Sequence, residues 1–371
     1  MDMAVSQNLV HRRRALAALL TERGADAMLV SDLTDVRYLS GFTGSNGSVL
    51  IWADDAGEDP LISTDGRYTE QVAAQAPELT ARIARNTVAE LARAAAAARP
   101  GLRLAFDADA LSYAQYRALA DDEALSGVDL VPTAALVTGL RAIKDDGEVV
   151  LVTEACRIAD EALAALLERG AVAPGRTERQ VARNLEWEMY ARGAQAIAFE
   201  TIVAAGPNSA VPHHRPTDAV LASGDLVKMD FGAVYQGYHS DITRTVVLGP
   251  PQPWQREIYQ IVATAQQAGR DALTPGAALA DVDAAARRLI EDAGYGEYYV
   301  HGLGHGVGLQ IHEAPPIGAT ATGTLPLGAT VTVEPGIYLP GRGGVRIEDT
   351  LVVTETGSRL LTTTPRDLRI L

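Results

Sequence analysis

Four carboxylates sit in segments that otherwise read as buried strands, and this constrains the chain more than any other feature. Asp230 lies in Leu226-Val227-Lys228-Met229-Asp230-Phe231-Gly232 and Asp241 in Tyr238-His239-Ser240-Asp241-Ile242-Thr243-Arg244-Thr245. Glu334 closes Val331-Thr332-Val333, and Glu348 follows Val345-Arg346-Ile347. An unpartnered carboxylate is costly to bury. Asp241 comes eleven residues after Asp230, and a turn at Gln236-Gly237 returns the chain antiparallel, bringing the two acids together. Four converging carboxylates push one another's pKa values up unless cations neutralise them. Two divalent ions match all four charges.

Six of the seven histidines (His213, His214, His239, His301, His305 and His312) fall in one window, where structural histidines would scatter along the chain. Taken singly, each has an ordinary reading: an Asp on a strand edge as a turn residue, a His as a packing residue. Together they point to a site. His305, in His301-Gly302-Leu303-Gly304-His305-Gly306-Val307-Gly308, adds one imidazole to the carboxylates. The resulting oxygen-rich donor set suits two divalent ions, with Mn2+ ahead of Co2+, Zn2+ or Fe2+, better than a closed structural zinc. The glycines at 302, 304, 306 and 308 superficially resemble a phosphate loop, but close backbone approach to the metals explains them better.

The chain has 371 residues, which favours two domains. Its formal charge of −15 argues against nucleic acid as a partner, and no apolar stretch is long enough to span a bilayer. Cys156 is the only cysteine, so an intrachain disulfide is excluded and a reducing, cytoplasmic setting is expected. His11-Arg12-Arg13-Arg14 followed by a short apolar run faintly resembles a signal peptide, but the run breaks at Thr21-Glu22-Arg23-Gly24. An amphipathic first helix ending at Gly24 is the expectation.

In residues 1–135, short strands at 27–30, 48–52, 61–63, 102–106 and 128–131 alternate with helices at 88–98 and 112–120, which predicts an α/β domain. The linker falls at roughly 125–145. In residues 136–371, helices are expected from Asp146 to about Arg169 and from Thr177, whose hydroxyl caps the helix while Gln180 reaches back. Strands at 199–205, 226–231, 243–248, 330–333 and 348–353, with helices at 253–272 and 279–293, make this an α+β domain.

The order of these motifs resembles the pita-bread metallopeptidases, specifically the aminopeptidase P and prolidase group. The motifs are the paired aspartates, His-Gly-Leu-Gly-His-Gly-Val-Gly-Leu, Thr-Val-Glu-Pro-Gly-Ile-Tyr and Gly-Val-Arg-Ile-Glu-Asp. Tyr38 to Ser45 (Tyr-Leu-Ser-Gly-Phe-Thr-Gly-Ser) and Thr64-Asp65-Gly66-Arg67-Tyr68 look like the amino-terminal domain of aminopeptidase P proteins, so the resemblance covers nearly the whole chain. It implies a pita-bread catalytic domain preceded by a non-catalytic domain, in a homodimer or homotetramer. Gln310 stands where many relatives carry an acid, away from any ligand role.

The resemblance also implies roles. Asp230 chelates one metal, Asp241 and Glu348 bridge both, and His305 and Glu334 hold the second; a hydroxide between the metals is the nucleophile. Glu334 is catalytic as well. His213, rather than His214, contacts the scissile region, His312 steadies the tetrahedral intermediate, and His301 lines the substrate's leaving-group side. Arg346 lies two residues before Glu348 and is expected to share its strand face and orient a carboxylate or the substrate. Tyr235 and His239 read as supporting or packing residues.

The activity so implied is hydrolysis of the bond between an amino-terminal residue and a following proline, on a proline-containing peptide. Proline makes that bond a tertiary amide without N–H, so a dedicated pocket is needed. Xaa-Pro aminopeptidase action is the first reading and Xaa-Pro dipeptidase (prolidase) action the second. A metal-free creatinase-like amidinohydrolase is disfavoured because all five ligand positions are kept. A pita-bread binding or scaffold protein is the non-enzymatic alternative.

Overall fold

The computed structural model describes residues 3–53 and 58–371, with side chains from Asn8 onward. Two compact units divide between Arg141 and Ala142, six residues beyond the expected domain boundary at 135/136. Helix α6 (Leu136–Arg141) therefore falls to the first unit, where buried Arg141 donates to buried Asp35 at 2.8 Å.

The first unit runs α1 (Met3–Glu22), β1 (Ala27–Val30), α2 (Leu33–Ser40), β2 (Gly47–Trp52), β3 (Leu61–Thr64), α3 (Thr69–Gln75), β4 (Thr80–Ile83), α4 (Thr87–Ala98), β5 (Arg103–Asp107), α5 (Tyr113–Ala120), β6 (Asp129–Thr133) and α6. Its six strands form one mixed sheet in the order β4-β3-β2-β1-β5-β6. Apolar residues of β1, β2 and β5, among them Leu29, Leu50 and Leu104, pack on Leu91 and Ala95 of α4. Strand β4 and helices α2, α3 and α6 are additions to the sequence reading. Strand β4 is exposed along its whole length at the sheet edge, so it lacks the apolar alternation that marks a strand.

The second unit continues with α7 (Asp146–Glu168), α8 (Glu178–Ala191), β7 (Ala196–Ile197), β8 (Ile202–Ala205), β9 (Leu226–Phe231), β10 (Ala233–Tyr235), β11 (Tyr238–His239), β12 (Ile242–Val247), α9 (Pro253–Asp271) and α10 (Leu279–Asp292). It ends with β13 (Gly304–Gly306), β14 (Glu313–Ile317), β15 (Thr330–Val333), β16 (Gly336–Leu339), β17 (Gly343–Arg346), β18 (Asp349–Thr354) and β19 (Gly357–Leu360). The Thr177 capping box forms as expected, with Gln180 N–H donating to the hydroxyl at 3.2 Å and Thr177 N–H to the Gln180 side chain at 3.1 Å.

Strand β9 is central to the site. It pairs antiparallel with β8 and β12, and Asp230 faces Thr243 across the ladder. Successive strand side chains point to opposite faces. Val227, Met229 and Phe231 join the core that includes Ile158 and Leu163 of α7 and Leu185 of α8, which leaves Lys228 and Asp230 on the other face. A second core packs Val331, Val333, Leu351 and Val353 of β15 and β18 on Ile258 and Val262 of α9 and Ile290 of α10. Among the described residues, no helix is long and apolar enough to cross a membrane.

Candidate metal centre

The turn at Gln236-Gly237 joins the short antiparallel strands β10 and β11, and the returning chain carries Asp241 to the start of β12. Strand β15 ends at Val333, so Glu334 emerges from the sheet; Glu348 lies in the two-residue link between β17 and β18. All four carboxylates and His305 line one cavity of about 290 Å³, together with His213, His214, Arg215, Glu200, Phe199, Ile202, Ile311 and His312. A larger hollow of about 560 Å³ in the first unit is lined by Arg13, Arg14, Glu58 and Glu78 among apolar residues. Among the described residues its lining holds no histidine or aspartate, whereas the smaller cavity gathers both types.

The centre is tight. Ligand-type atoms of Asp241, His305 and Glu348 all lie within 4.8 Å of one another. His305 Nε2 is 3.3 Å from Glu334 Oε1 and 3.6 Å from Asp241 Oδ2. The other ring nitrogen, Nδ1, lies 3.0 Å from the Gly306 carbonyl. A carbonyl only accepts, so Nδ1 carries a hydrogen, and Nε2, the nitrogen facing the carboxylates, is the position a proton or a cation takes, the arrangement usual for a ligating imidazole.

Burial, then Glu348, Asp230 and Glu334, push the Asp241 carboxyl well above the usual carboxylate range. Burial, then Glu334 and Asp230, do the same to Glu348, although Thr243 donates to its Oε2 at 2.6 Å. Burial also works to raise Glu334, but the hydrogen bond and charge of His305, with His301 and Arg346, bring it down to about 2. His305 is raised in return: Glu334 outweighs burial. The carboxylates thus attract positive charge onto the lone pair a cation would occupy.

Asp230 Oδ1 and Asp241 Oδ1 are buried and have no hydrogen-bond partner. Such atoms are rare in folded proteins and call for an explanation. A divalent cation cluster supplies it: the residues fit that group in donor type, orphaned oxygens and uncompensated charge.

Arg346 is fully buried. It donates from Nη2 to Asp230 Oδ2, from Nη1 to Tyr338 Oη at 2.7 Å and Pro212 O at 3.3 Å, and from Nε to Thr243 Oγ1 at 3.1 Å. It is thus an internal partner of the Asp230 carboxylate. Tyr338 passes the network on to His301 Nε2 at 2.8 Å, while His301 Nδ1 donates to Gly302 O. Burial lowers the pKa of His301 and pushes the Tyr338 phenol up to about 12.

His312 stands edge-on to His305, with ring centroids 4.4 Å apart, and burial followed by the charge of His305 lowers its pKa. His213 is exposed and lines the cavity, whereas His214 Nε2 is 2.8 Å from Glu178 Oε2. His239 bonds through its backbone N–H and Nδ1 to Gly308 O. The glycine-rich stretch has a different cause from the one expected. A Cβ at Gly304 would meet Thr332 O at 2.0 Å and one at Gly306 would meet Ala314 O at 2.1 Å, so close strand-to-strand approach requires glycine at both. Sequence reasoning missed Tyr338, Thr243, Thr332 and Glu178; the first three stand in the quoted motifs without an assigned role.

The family profile described as Metallopeptidase family M24 matches residues 150–355, and that of the Creatinase/Prolidase N-terminal domain matches residues 12–143. The chain belongs to metallopeptidase family M24, with an α/β creatinase-type amino-terminal domain ahead of an α+β pita-bread domain. It is 39% identical to the Xaa-Pro dipeptidase from Bacillus anthracis, with a TM-score of 0.91 over 98% of this chain and 100% of that one. It is 33% identical to the X-Pro aminopeptidase from Thermotoga maritima MSB8, with a TM-score of 0.87 over 97% and 99%. It is also 47% identical over 233 residues to the Xaa-Pro dipeptidase of Pyrococcus furiosus, covering 63% of this chain and 66% of that one.

Proposed function

We propose that this chain is a dinuclear-metal Xaa-Pro dipeptidase, cleaving the bond between a first residue and a carboxy-terminal proline. The observation that carries the metal centre is the pair of orphaned oxygens, Asp230 Oδ1 and Asp241 Oδ1, in one cavity with His305 Nε2. The dipeptide substrate is supported by the relatives of Bacillus anthracis and Pyrococcus furiosus, both named Xaa-Pro dipeptidases. It takes precedence over the aminopeptidase reading placed first from sequence. That reading stays as the second, favoured by the likeness to the Thermotoga maritima X-Pro aminopeptidase.

Asp230 would hold one cation and His305 with Glu334 the other, with Asp241 and Glu348 available to both. Mn2+ suits this donor set best. When bound, the pair supplies Lewis acidity to the scissile carbonyl and to a water. Glu334, whose Oε1 accepts from Thr332 Oγ1 at 3.3 Å, would take up the proton lost by the water and return it to the departing proline nitrogen. His312, kept neutral by its lowered pKa, donates to the carbonyl oxygen as charge builds there. His213 reaches the substrate from the cavity wall, and His301 lines the proline side. Arg346 acts through Asp230, whose orientation it holds. The buried lone cysteine supports a cytoplasmic setting, and the family resemblance a homo-oligomer.

The test is turnover by the Mn2+-loaded protein on Xaa-Pro dipeptides and Xaa-Pro-Yaa tripeptides. Dipeptide cleavage alone is expected. Exclusive tripeptide cleavage overturns the dipeptidase reading in favour of the aminopeptidase, and no cleavage of either with any divalent ion overturns both.

A further inference from the structure

Glu178, the first residue of α8, is fully enclosed and lies outside the ligand set. Its Oε1 accepts from Ala205 N–H and Asn208 Nδ2, both at 2.9 Å. Its Oε2 accepts from Thr217 N–H at 3.0 Å, Thr217 Oγ1 at 2.7 Å and His214 Nε2 at 2.8 Å. One carboxylate thus gathers both ends and the middle of the segment 205–217, which carries His213 into the cavity. Backbone bonds reinforce the grip, from Glu178 N–H to Ala219 O and from Arg179 N–H to Thr217 O, each at 3.1 Å.

The same segment is fastened from the β9 side. Lys228 Nζ donates to Val211 O at 2.6 Å and to Pro212 O at 3.1 Å, and Arg346 Nη1 also reaches Pro212 O. His213 is the next residue, so it projects from a backbone tied on two sides. The position of Glu178 at a helix amino terminus favours its negative charge. Burial alone raises this carboxyl, yet its donors together hold it below the usual range.

We propose that Glu178 is a positioning residue for the peptidase reaction, setting the approach of His213 to the substrate through His214, Thr217 and Asn208. This rests on the peptidase reading above. E178Q keeps the side-chain volume but turns an amide NH2 against existing donors, whichever way the amide lies.

The experiment compares wild type, E178Q, H213A and the double variant. In zinc-loaded protein labelled with 13C-histidine, E178Q is expected to shift or broaden the His213 ring signal, assigned by its absence in H213A. Metal stoichiometry should stay unchanged. In the Mn2+-loaded enzyme, E178Q should lower kcat/KM for an Xaa-Pro dipeptide by roughly 10²-fold, as for a misplaced catalytic group. That loss should disappear in the H213A background. An unmoved His213 signal, or equal losses in both backgrounds, overturns the proposal. If wild type hydrolyses no proline peptide, the peptidase reading fails and the His213 signal alone decides the role of Glu178. If E178Q does not fold, T217V, which deletes a single donor, takes its place with a smaller expected shift.

Discussion

Tyr338 Oη accepts from Arg346 Nη1 at 2.7 Å and donates to His301 Nε2 at 2.8 Å, so one hydroxyl joins the guanidinium partner of Asp230 to the histidine proposed for the leaving-group side. Y338F removes that joint and leaves the ring in place. The buried guanidinium then keeps Asp230, Thr243 and Pro212 as partners, while His301 loses the acceptor bond at Nε2. Y338F should cost about 1–3 kcal/mol of stability, read by urea unfolding. It should raise KM more than it lowers kcat, since the metal ligands stay in place. A variant with unchanged KM would separate His301 from substrate binding.

D241N should have opposite effects with and without metal. A carboxyl whose folded pKa is raised stabilises below its unfolded value, and that stability is lost as pH rises toward the folded value. Burial and the neighbouring Glu348, Asp230 and Glu334 raise Asp241 far above its ordinary value. Metal-free wild type therefore bears a growing cost above about pH 4 that D241N escapes. In metal-free protein the Tm advantage of D241N should widen from pH 5 to pH 8. Adding Mn2+ should reverse the order, because the variant lacks one ligand charge, and turnover should be lost. A metal-free D241N no more stable than wild type at pH 8 would count against convergence of the carboxylates.

Asp35 offers a pH test in the first unit. Burial raises its carboxyl to about 6 despite the hydrogen bond from Arg141. The stability this confers is complete below the unfolded value, about 3.9, and is lost as pH rises through about 6. The loss corresponds to about 3 kcal/mol. Unfolding free energy measured from pH 4 to pH 7 should carry this downward contribution in wild type and lack it in D35N. Parallel profiles would show that Arg141 keeps the carboxylate charged throughout.

The convergence of the four carboxylates is legible because acids interrupt segments whose other members read as strands. In β9, Val227, Met229 and Phe231 face a core, which forces Asp230 and Lys228 to the opposite side. The pairing of Asp230 with the Asp241 region followed from strand-turn-strand spacing, and β12 returns antiparallel with Thr243 opposite Asp230. Tyr338 was not legible as a partner of His301, 37 residues away, since no local periodicity encodes a contact made by the separate β16-β17 ribbon. Glu178 reads in sequence as an ordinary first-turn acid of a helix, and only the path of residues 205–217 gives its carboxylate five donors. Arg346 was expected to share a strand face with Glu348, but β17 ends at Arg346 and β18 begins at Asp349. The shared partner Thr243, and not strand alternation, brings the two side chains together.

Lys144 and Glu313 provide the last test, because their ion pair links the start of the catalytic unit to the histidine loop. Lys144 Nζ lies 3.0 Å from Glu313 Oε2, and the two side chains are 1% and 2% exposed. Glu313 Oε1 accepts from Gln310 N–H at 2.8 Å, so the carboxylate closes the turn that carries His312, its immediate neighbour. A buried pair gains little net stability over an apolar one, but removing a single partner strands the other charge. E313A should therefore destabilise by about 3–5 kcal/mol, and E313Q, which keeps the side-chain volume and one of the two acceptor oxygens but sets its NH2 against the remaining donor, by less. The pair K144M/E313L removes both charges and should recover part of that stability without restoring activity, because the turn before His312 stays open. Chemical denaturation read beside kcat for the three proteins separates these outcomes. Full activity in the apolar pair would show that His312 is held by the strands alone.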